Sequence, residues 1–246
     1  MKLSCYICVL LFQCLIIGFV EGQQINYVTL DSEVPQILIL KTNEQITLDG
    51  ILDEDIWQRA ACSTNFCQYF PTDSLVANGE TQIFMAYDEE NLYVAAICRT
   101  PDNQFAVSGL KRDYGFGTND NISFLFDTFN DKTNAFLFGM NPYGVRREAL
   151  ISNAGKTFDS FDPSWDNKWD GNSSRYKDHW ICELSIPFKT LRYKDKTEQW
   201  RFNSYRNDLQ NNEITTWINI PREYILMDLN YMGNMIWEEA PTKPGK

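Results

Sequence analysis

Apolar residues recur at every second position along most of this chain, and a helical period is nearly absent. "ETQIFMAY" and "NLYVAAICR" alternate on either side of Asp88, Glu89 and Glu90, which predicts a hairpin with an acidic turn. In "NISFLFDTF", Ile122, Phe124 and Phe126 share one face, and "NAFLFGMN" repeats the pattern with Phe136, Phe138 and Met140. "WICELSIPF" sets Trp180, Cys182, Leu184 and Ile186 against Glu183 and Ser185. "WRFNSYRN", "TTWINI" and "GNMIW" complete the strands, and turn signals such as Asn130-Asp131 and Pro142-Tyr143-Gly144 separate them. One short helical turn is predicted at "DEDIWQRA", with Asp53 as its N-cap. Many short strands between turns predict an all-β fold, either a sandwich or a barrel. Trp57, Trp180, Trp200 and Trp217 fall at core positions, which leaves Trp165, Trp169 and Trp237 as the tryptophans expected to be partly exposed.

The first segment breaks this pattern. "MKLSCYICVLLFQCLIIGFVEG" has a lysine, an apolar run and a small residue before the cut, so residues 1–22 read as a secretory signal with the mature chain starting at Gln23. The expected product is secreted, periplasmic or at the cell surface. Residues 23–39 then form an N-terminal extension, 40–240 one domain and 241–246 a linker-like tail. No later segment is apolar enough to span a bilayer. The net charge of −11 argues against a nucleic-acid partner, whose phosphates it would repel. Of the seven cysteines, Cys5, Cys8 and Cys14 leave with the signal. Cys62 and Cys67 are close enough in sequence for a local disulfide, while Cys98 and Cys182 sit at the apolar phase of strands and are expected as buried thiols. His179 is the lone histidine, and neither a G-x-S-x-G elbow nor a glycine-rich phosphate loop is present. The chain therefore reads as a binding protein, not an enzyme.

Candidate chemistry concentrates in "FDSFDPSWDNKWDG", from Phe158 to Gly171. Its aspartates are too widely spaced for an EF-hand. Asp159, Asp162 and Asp166, with Asp120, Asp127 and Asp131 around the neighbouring hairpin, are the candidate ligands for one structural calcium ion. Trp165 and Trp169 offer a stacking platform for a sugar ring, with Asp166, Asn167 and Asp170 interleaved as hydroxyl acceptors. The competing reading is a packed turn at the sandwich edge, with both indoles buried.

"ITLDGILDEDIWQRA", "ETQIFMAYDEENLYVAAICRTPD", "NDNISFLFDTF", "ELSIPFKTLRY" and "WRFNSYRN" follow one another in an order and spacing that resembles the family 9 carbohydrate-binding modules, over roughly residues 40 to 240. The likeness is to a branch at the N-terminus of exported bacterial proteins, ahead of a barrel-like region. It implies an antiparallel β-sandwich, jelly-roll or immunoglobulin-like, with one or two short helical turns, a glycan partner, and bound calcium as in some relatives. It also implies an accessory, non-catalytic role in polysaccharide recognition or breakdown. The alternative is a structural or interaction domain at the cell surface, with an outer-membrane partner. In sugar-binding relatives two tryptophans clamp a terminal sugar; the matching loops here carry Tyr114 and Phe116, and Tyr224 and Tyr231. A sugar-binding glutamate of the family falls near Ser123 and an arginine near Gly139, so neither is kept.

Overall fold

The computed structural model describes residues 34–73, 75–100 and 104–242. The expected signal segment, most of the N-terminal extension and the last four residues of the tail lie outside them.

The period-two runs form strands that pair into one large mixed sheet, folded over into two facing leaves. The first leaf is built on β4 (Thr81–Tyr87) and β5 (Asn91–Arg99), the hairpin with the acidic turn. β11 (His179–Pro187) pairs with β5, and β10 (Asp170–Arg175) forms the edge. The second leaf is built on β6 (Asn121–Asp127) and β7 (Ala135–Met140). β8 (Arg146–Ile151) and the two-residue β9 (Phe161–Asp162) extend it one way. On the other side β12 (Gln199–Asp208) pairs with β6, and its far edge carries β13 (Glu213–Thr216) and β14 (Gly233–Trp237) end to end. β2 (Cys62–Ser63) adds to β4, and β3 (Cys67–Phe70) to β13. The hinge is β1 (Gln36–Lys41), which runs parallel to β14 in one leaf and to β4 in the other. The expected sandwich is thus found, with two parallel pairings where its leaves join. It also takes in β1, which starts ahead of the expected boundary at residue 40.

The core between the leaves is made by the predicted alternation. Val94, Phe124, Phe138, Leu184 and Phe202 all point inward and are fully buried. Trp180, Trp200, Trp217 and Trp237 join them, so Trp237 is interior, contrary to expectation; its ring meets Trp200 edge-on at 4.9 Å. Arg206 on β12 closes one end of this core. Its guanidinium donates to the carbonyl oxygen of Arg99 at 2.6 Å and to Thr81 Oγ1 at 3.2 Å in the opposite leaf, and pairs with buried Asp208 at 3.0 Å. Such a buried pair is tolerable because the remaining donors are also met.

The outer face of the first leaf is covered by α1 (Asp55–Arg59), whose Ile56 and Trp57 pack on Ala86, Tyr93 and Ala95. Its N-cap is Glu54, not Asp53, and the cap side chain does not bind its own helix backbone. Instead Glu44 Oε2 accepts from the Ile56 N–H at 3.2 Å, while Glu54 is drawn to the Trp57 indole N–H at 3.0 Å and the Thr47 N–H at 2.7 Å.

The cysteines correct one expectation. All four in the described residues are free thiols. Cys62 is in register with Phe84 of the first leaf and Cys67 with Thr216 of the second, so the chain has crossed between leaves and carried them apart. Cys98 and Cys182 are buried as expected, and burial pushes both thiols upward, Cys98 to about 12.

Glu183 on β11 is buried under the segment ahead of α1 and accepts from the Gly50 N–H at 2.7 Å and the Asp49 N–H at 3.1 Å. Burial pushes its carboxyl from the ordinary 4.5 up to about 7. A raised acid stabilises the fold fully below pH 4.5, and that contribution is lost as pH rises through 7. The loss is at most about 3 kcal/mol. Glu183→Gln keeps an acceptor and removes the titration. The melting temperature of the wild type should therefore fall relative to the variant between these two pH values; parallel curves would place the ionisation elsewhere.

Candidate functional site

The second leaf is buried on its outer face as well. Leu125, Leu137, Ala149, Ile151 and Tyr205 alternate with the core residues and form a separate buried cluster. The sheet therefore needs a cover, which three loops supply: residues 104–120, 152–169 and 217–232. They leave a cavity of about 420 Å³ between them, within the size range of small-molecule sites.

Tyr205, Ile214 and Arg147 make the floor of this cavity. Tyr114 and Phe116 stand on one wall, and Ile225, Leu226 and Met227 on another. Phe158, Phe161 and Pro163, from the acidic and aromatic stretch, make the third. Phe158 is 82% exposed and stands at the mouth. Phe116 meets Tyr205 edge-on at 5.3 Å.

Buried polar groups pin the walls. Arg201 on β12 donates to the carbonyl oxygens of Leu229 at 2.5 Å and Met232 at 3.1 Å, and Asn203 donates to that of Tyr231 at 2.8 Å. Asp120 ties the loop ahead of β6 to the end of β12, accepting from the Ala106 N–H at 2.8 Å and the Leu209 N–H at 2.6 Å. Behind the cavity, Glu148 turns toward the sandwich edge, where it accepts from Arg112 and, at 3.2 Å, from the Trp169 indole. Burial raises its carboxyl above the usual range, and Arg112 opposes that rise.

The expected site residues divide. Tyr114 and Phe116 line the cavity. Tyr224 stands outside it, packed on Tyr231 at 5.0 Å, and offers its carbonyl oxygen to the Tyr69 hydroxyl. Trp169 is buried, edge-on to Phe138 at 5.5 Å, and Trp165 is half-buried against Phe136 at 5.1 Å. These indoles close the sandwich edge, as in the packed-turn reading, so Trp169 has no free face for a sugar. The stretch reaches the cavity through its phenylalanines instead. Phe158, Phe161, Tyr205 and Arg147 were not singled out from the sequence. The outward phase of β12 carried the signal for Tyr205, because an aromatic opposite a buried strand must itself be covered.

The acids do not gather either. No three metal-ligating side chains converge among the described residues. Asp127 accepts from the Lys132 N–H at 2.8 Å, Asp131 from the Thr133 N–H at 2.8 Å, and Asp162 from the Ser164 N–H at 2.9 Å, each closing its own turn. Asp159 is exposed, and Asp166 pairs with Arg112 at 3.1 Å. A calcium ion wants about six to eight oxygens around one point, so these carboxylates do not fit one.

One arginine does stand where the resemblance left a gap. Arg147 on β8 is in register with Gly139 on β7, which pairs in turn with Ser123. A Cβ at Gly139 would come within 2.9 Å of Arg147 Cγ and 2.6 Å of Ser123 Oγ, so the arginine stem lies across the bare glycine.

Solved structures share this architecture. A carbohydrate-binding protein, presumptive by its description, from Bacteroides uniformis superposes with a TM-score of 0.64 at 12% identity, covering 84% of this chain and 100% of that one. A family 9 carbohydrate-binding module from Caldicellulosiruptor kristjanssonii in complex with cellotriose gives 0.57 at 14% identity, covering 83% and 94%. The same kind of module in complex with glucose gives 0.54 at 14% identity, covering 86% and 100%. The fold is that of the family 9 carbohydrate-binding modules. No protein-family profile matches the chain, and no curated protein sequence does.

Glu148 is buried within this family 9-like fold, and Arg112 is its cationic partner. Removing one half of a buried pair strands the other charge. Arg112→Ala should cost about 3 kcal/mol in urea unfolding, the low end for such a loss because Arg112 is partly exposed. Asp166→Ala, which removes only an exposed partner, should cost under about 1 kcal/mol. Equal effects would show that Glu148 is not the group being stabilised.

Proposed function

We infer that this chain is a non-catalytic glycan-binding module, exported by its N-terminal segment and accessory to polysaccharide recognition or breakdown. The observation that carries this reading is the aromatic-lined cavity between the loop ahead of β6 and the loop ahead of β14. Those are the two loops that hold the sugar slot in the family the fold resembles. Supporting it, two structures of family 9 modules with the same fold hold cellotriose and glucose. Phe158 supplies an exposed face at the mouth, where the apolar side of a sugar ring can leave water. Phe116 and Tyr114 continue that surface inward. Of the two acidic residues in the lining, Glu148 turns its carboxylate away to Arg112, and Asp113 lies 3.9 Å from the same side chain.

Calorimetric titration of the folded protein with glucose, cellotriose and a panel of other oligosaccharides tests this. Binding should be weak, and Phe158→Ala should weaken it about 10-fold, the worth of one good aromatic contact. Trp165→Ala should leave affinity unchanged. The reverse pattern would move the site to the tryptophan edge. A folded protein that binds no glycan would leave the cell-surface interaction domain as the better reading.

A further inference from the structure

Two residues in the lining of the cavity each carry a buried polar atom that the protein itself does not satisfy. Arg147 is 3% exposed, and its Nη1 has no hydrogen-bond partner. Tyr114 is 8% exposed, and its hydroxyl has none either. Both line the cavity, with the guanidinium carbon 5.5 Å from the Tyr114 ring centre and 5.4 Å from that of Phe161. Aromatic faces lower the cost of placing a cation there, but they accept no hydrogen bond in the guanidinium plane.

The charge is uncompensated as well as unbonded. Arg147 makes none of the ion pairs among the described residues, although Asp113 and Glu148 share its cavity. Asp113 Oδ1 lies 3.4 Å from the Glu148 backbone N–H, and its Oδ2 faces Arg112. Glu148 is held by Arg112 and the Trp169 indole on the other side of β8. The rest of the wall is mostly phenylalanine, isoleucine, leucine and methionine. An arginine stays charged in any protein environment, and an unpaired charge in an apolar site is among the costliest arrangements a fold can keep. A neutral hydroxyl oxygen would meet the hydrogen bond and leave the charge. A carboxylate would meet both, with one oxygen on Arg147 and the other on the Tyr114 hydroxyl. Burial pushes that hydroxyl far above the usual tyrosine range, so it remains a donor at any physiological pH.

We propose that the cavity takes a ligand bearing a carboxylate on an otherwise apolar-faced ring, its acid group held by Arg147 and Tyr114. Under the glycan reading on which this builds, the ligand is a uronic acid residue at the end of a chain. The same chemistry is offered by a free cyclic carboxylic acid, and the experiment separates the two.

The intact protein is titrated with glucuronate-terminated oligosaccharide, its neutral glucose-terminated counterpart, and cyclohexanecarboxylate. The uronate should bind about 10- to 100-fold more tightly than the neutral sugar, the worth of a charge-assisted pair. Arg147→Gln should abolish that preference, so that uronate and neutral sugar bind the variant alike. Tyr114→Phe, which removes only an unpartnered hydroxyl and should not lower the melting temperature, should reduce the preference on its own; it keeps the test valid if Arg147→Gln does not fold. Equal affinity for uronate and neutral sugar would overturn the carboxylate assignment and leave the glycan reading standing. Tight binding of cyclohexanecarboxylate with neither sugar bound would support the carboxylate and overturn the glycan. Silence from all three ligands would overturn both.

Discussion

The second leaf of the sheet is buried on both sides, and most of the molecule is arranged around that constraint. A strand such as β6, buried at every position, presents Phe124 and Phe126 to the core and Leu125 to the opposite side. A sheet of this kind cannot stand with one face in water, because each large side chain left exposed forfeits roughly 1.5–3 kcal/mol of burial. The first leaf solves the same problem with a five-residue helix that needs to cover only Ala86, Tyr93 and Ala95. Among the described residues no α-helix covers the second leaf. Loops do, and loops cannot pack to the density of a core because their backbones need hydrogen-bond partners of their own. The cavity is the consequence: a cover that shields the sheet without filling the space above it.

A loop cover holds its shape only if something fixes it, and here the fixing is done by charged groups that ordinarily avoid interiors. Arg201, Arg206 and Asp120 are all buried, and each spends its donors or acceptors on backbone groups of a different segment. Burial of such groups is tolerable when each hydrogen bond is made, and it then selects one loop arrangement over others of similar hydrophobic worth. β12 holds two of them, one on each face. Its inner arginine joins the two leaves, and its outer arginine fixes the wall ahead of β14. The strand thus couples the stability of the sandwich to the geometry of the site.

The fold was legible where one face of a strand differs from the other, and the site was legible only in part. β4, β5, β6, β7, β11, β12 and β14 all show the alternation. β10 does not, because "DGNSSR" pairs at the edge and buries little, and β8 opens on two arginines that read as loop. Tyr114 and Phe116 could be located because a family resemblance marks their loop. Phe158 and Phe161 could not, because the tryptophans beside them dominate any reading of that stretch. An indole is the stronger stacking face, but it is also the larger apolar body, and here burial against Phe136 and Phe138 claims both. The aspartates misled for a related reason: acid density in a sequence records turn chemistry and ligand chemistry alike, and only convergence in space tells them apart.

Gly139 leaves a gap on the outer face of β7 that a neighbouring strand fills. A cross-strand row runs from Tyr205 through Ser123 and Gly139 to Arg147. Side chains along such a row are about 5 Å apart, so a long one can serve its neighbour's position if that neighbour is bare. Arg147 does this, laying its stem over the glycine and bringing its guanidinium between Tyr114 and Phe161. Any residue with a Cβ at position 139 would collide with its stem, so Gly139 and Arg147 function as a pair. On β8 the guanidinium is flanked by rings and makes no ion pair among the described residues. A donor in that setting favours an anionic acceptor over a neutral one.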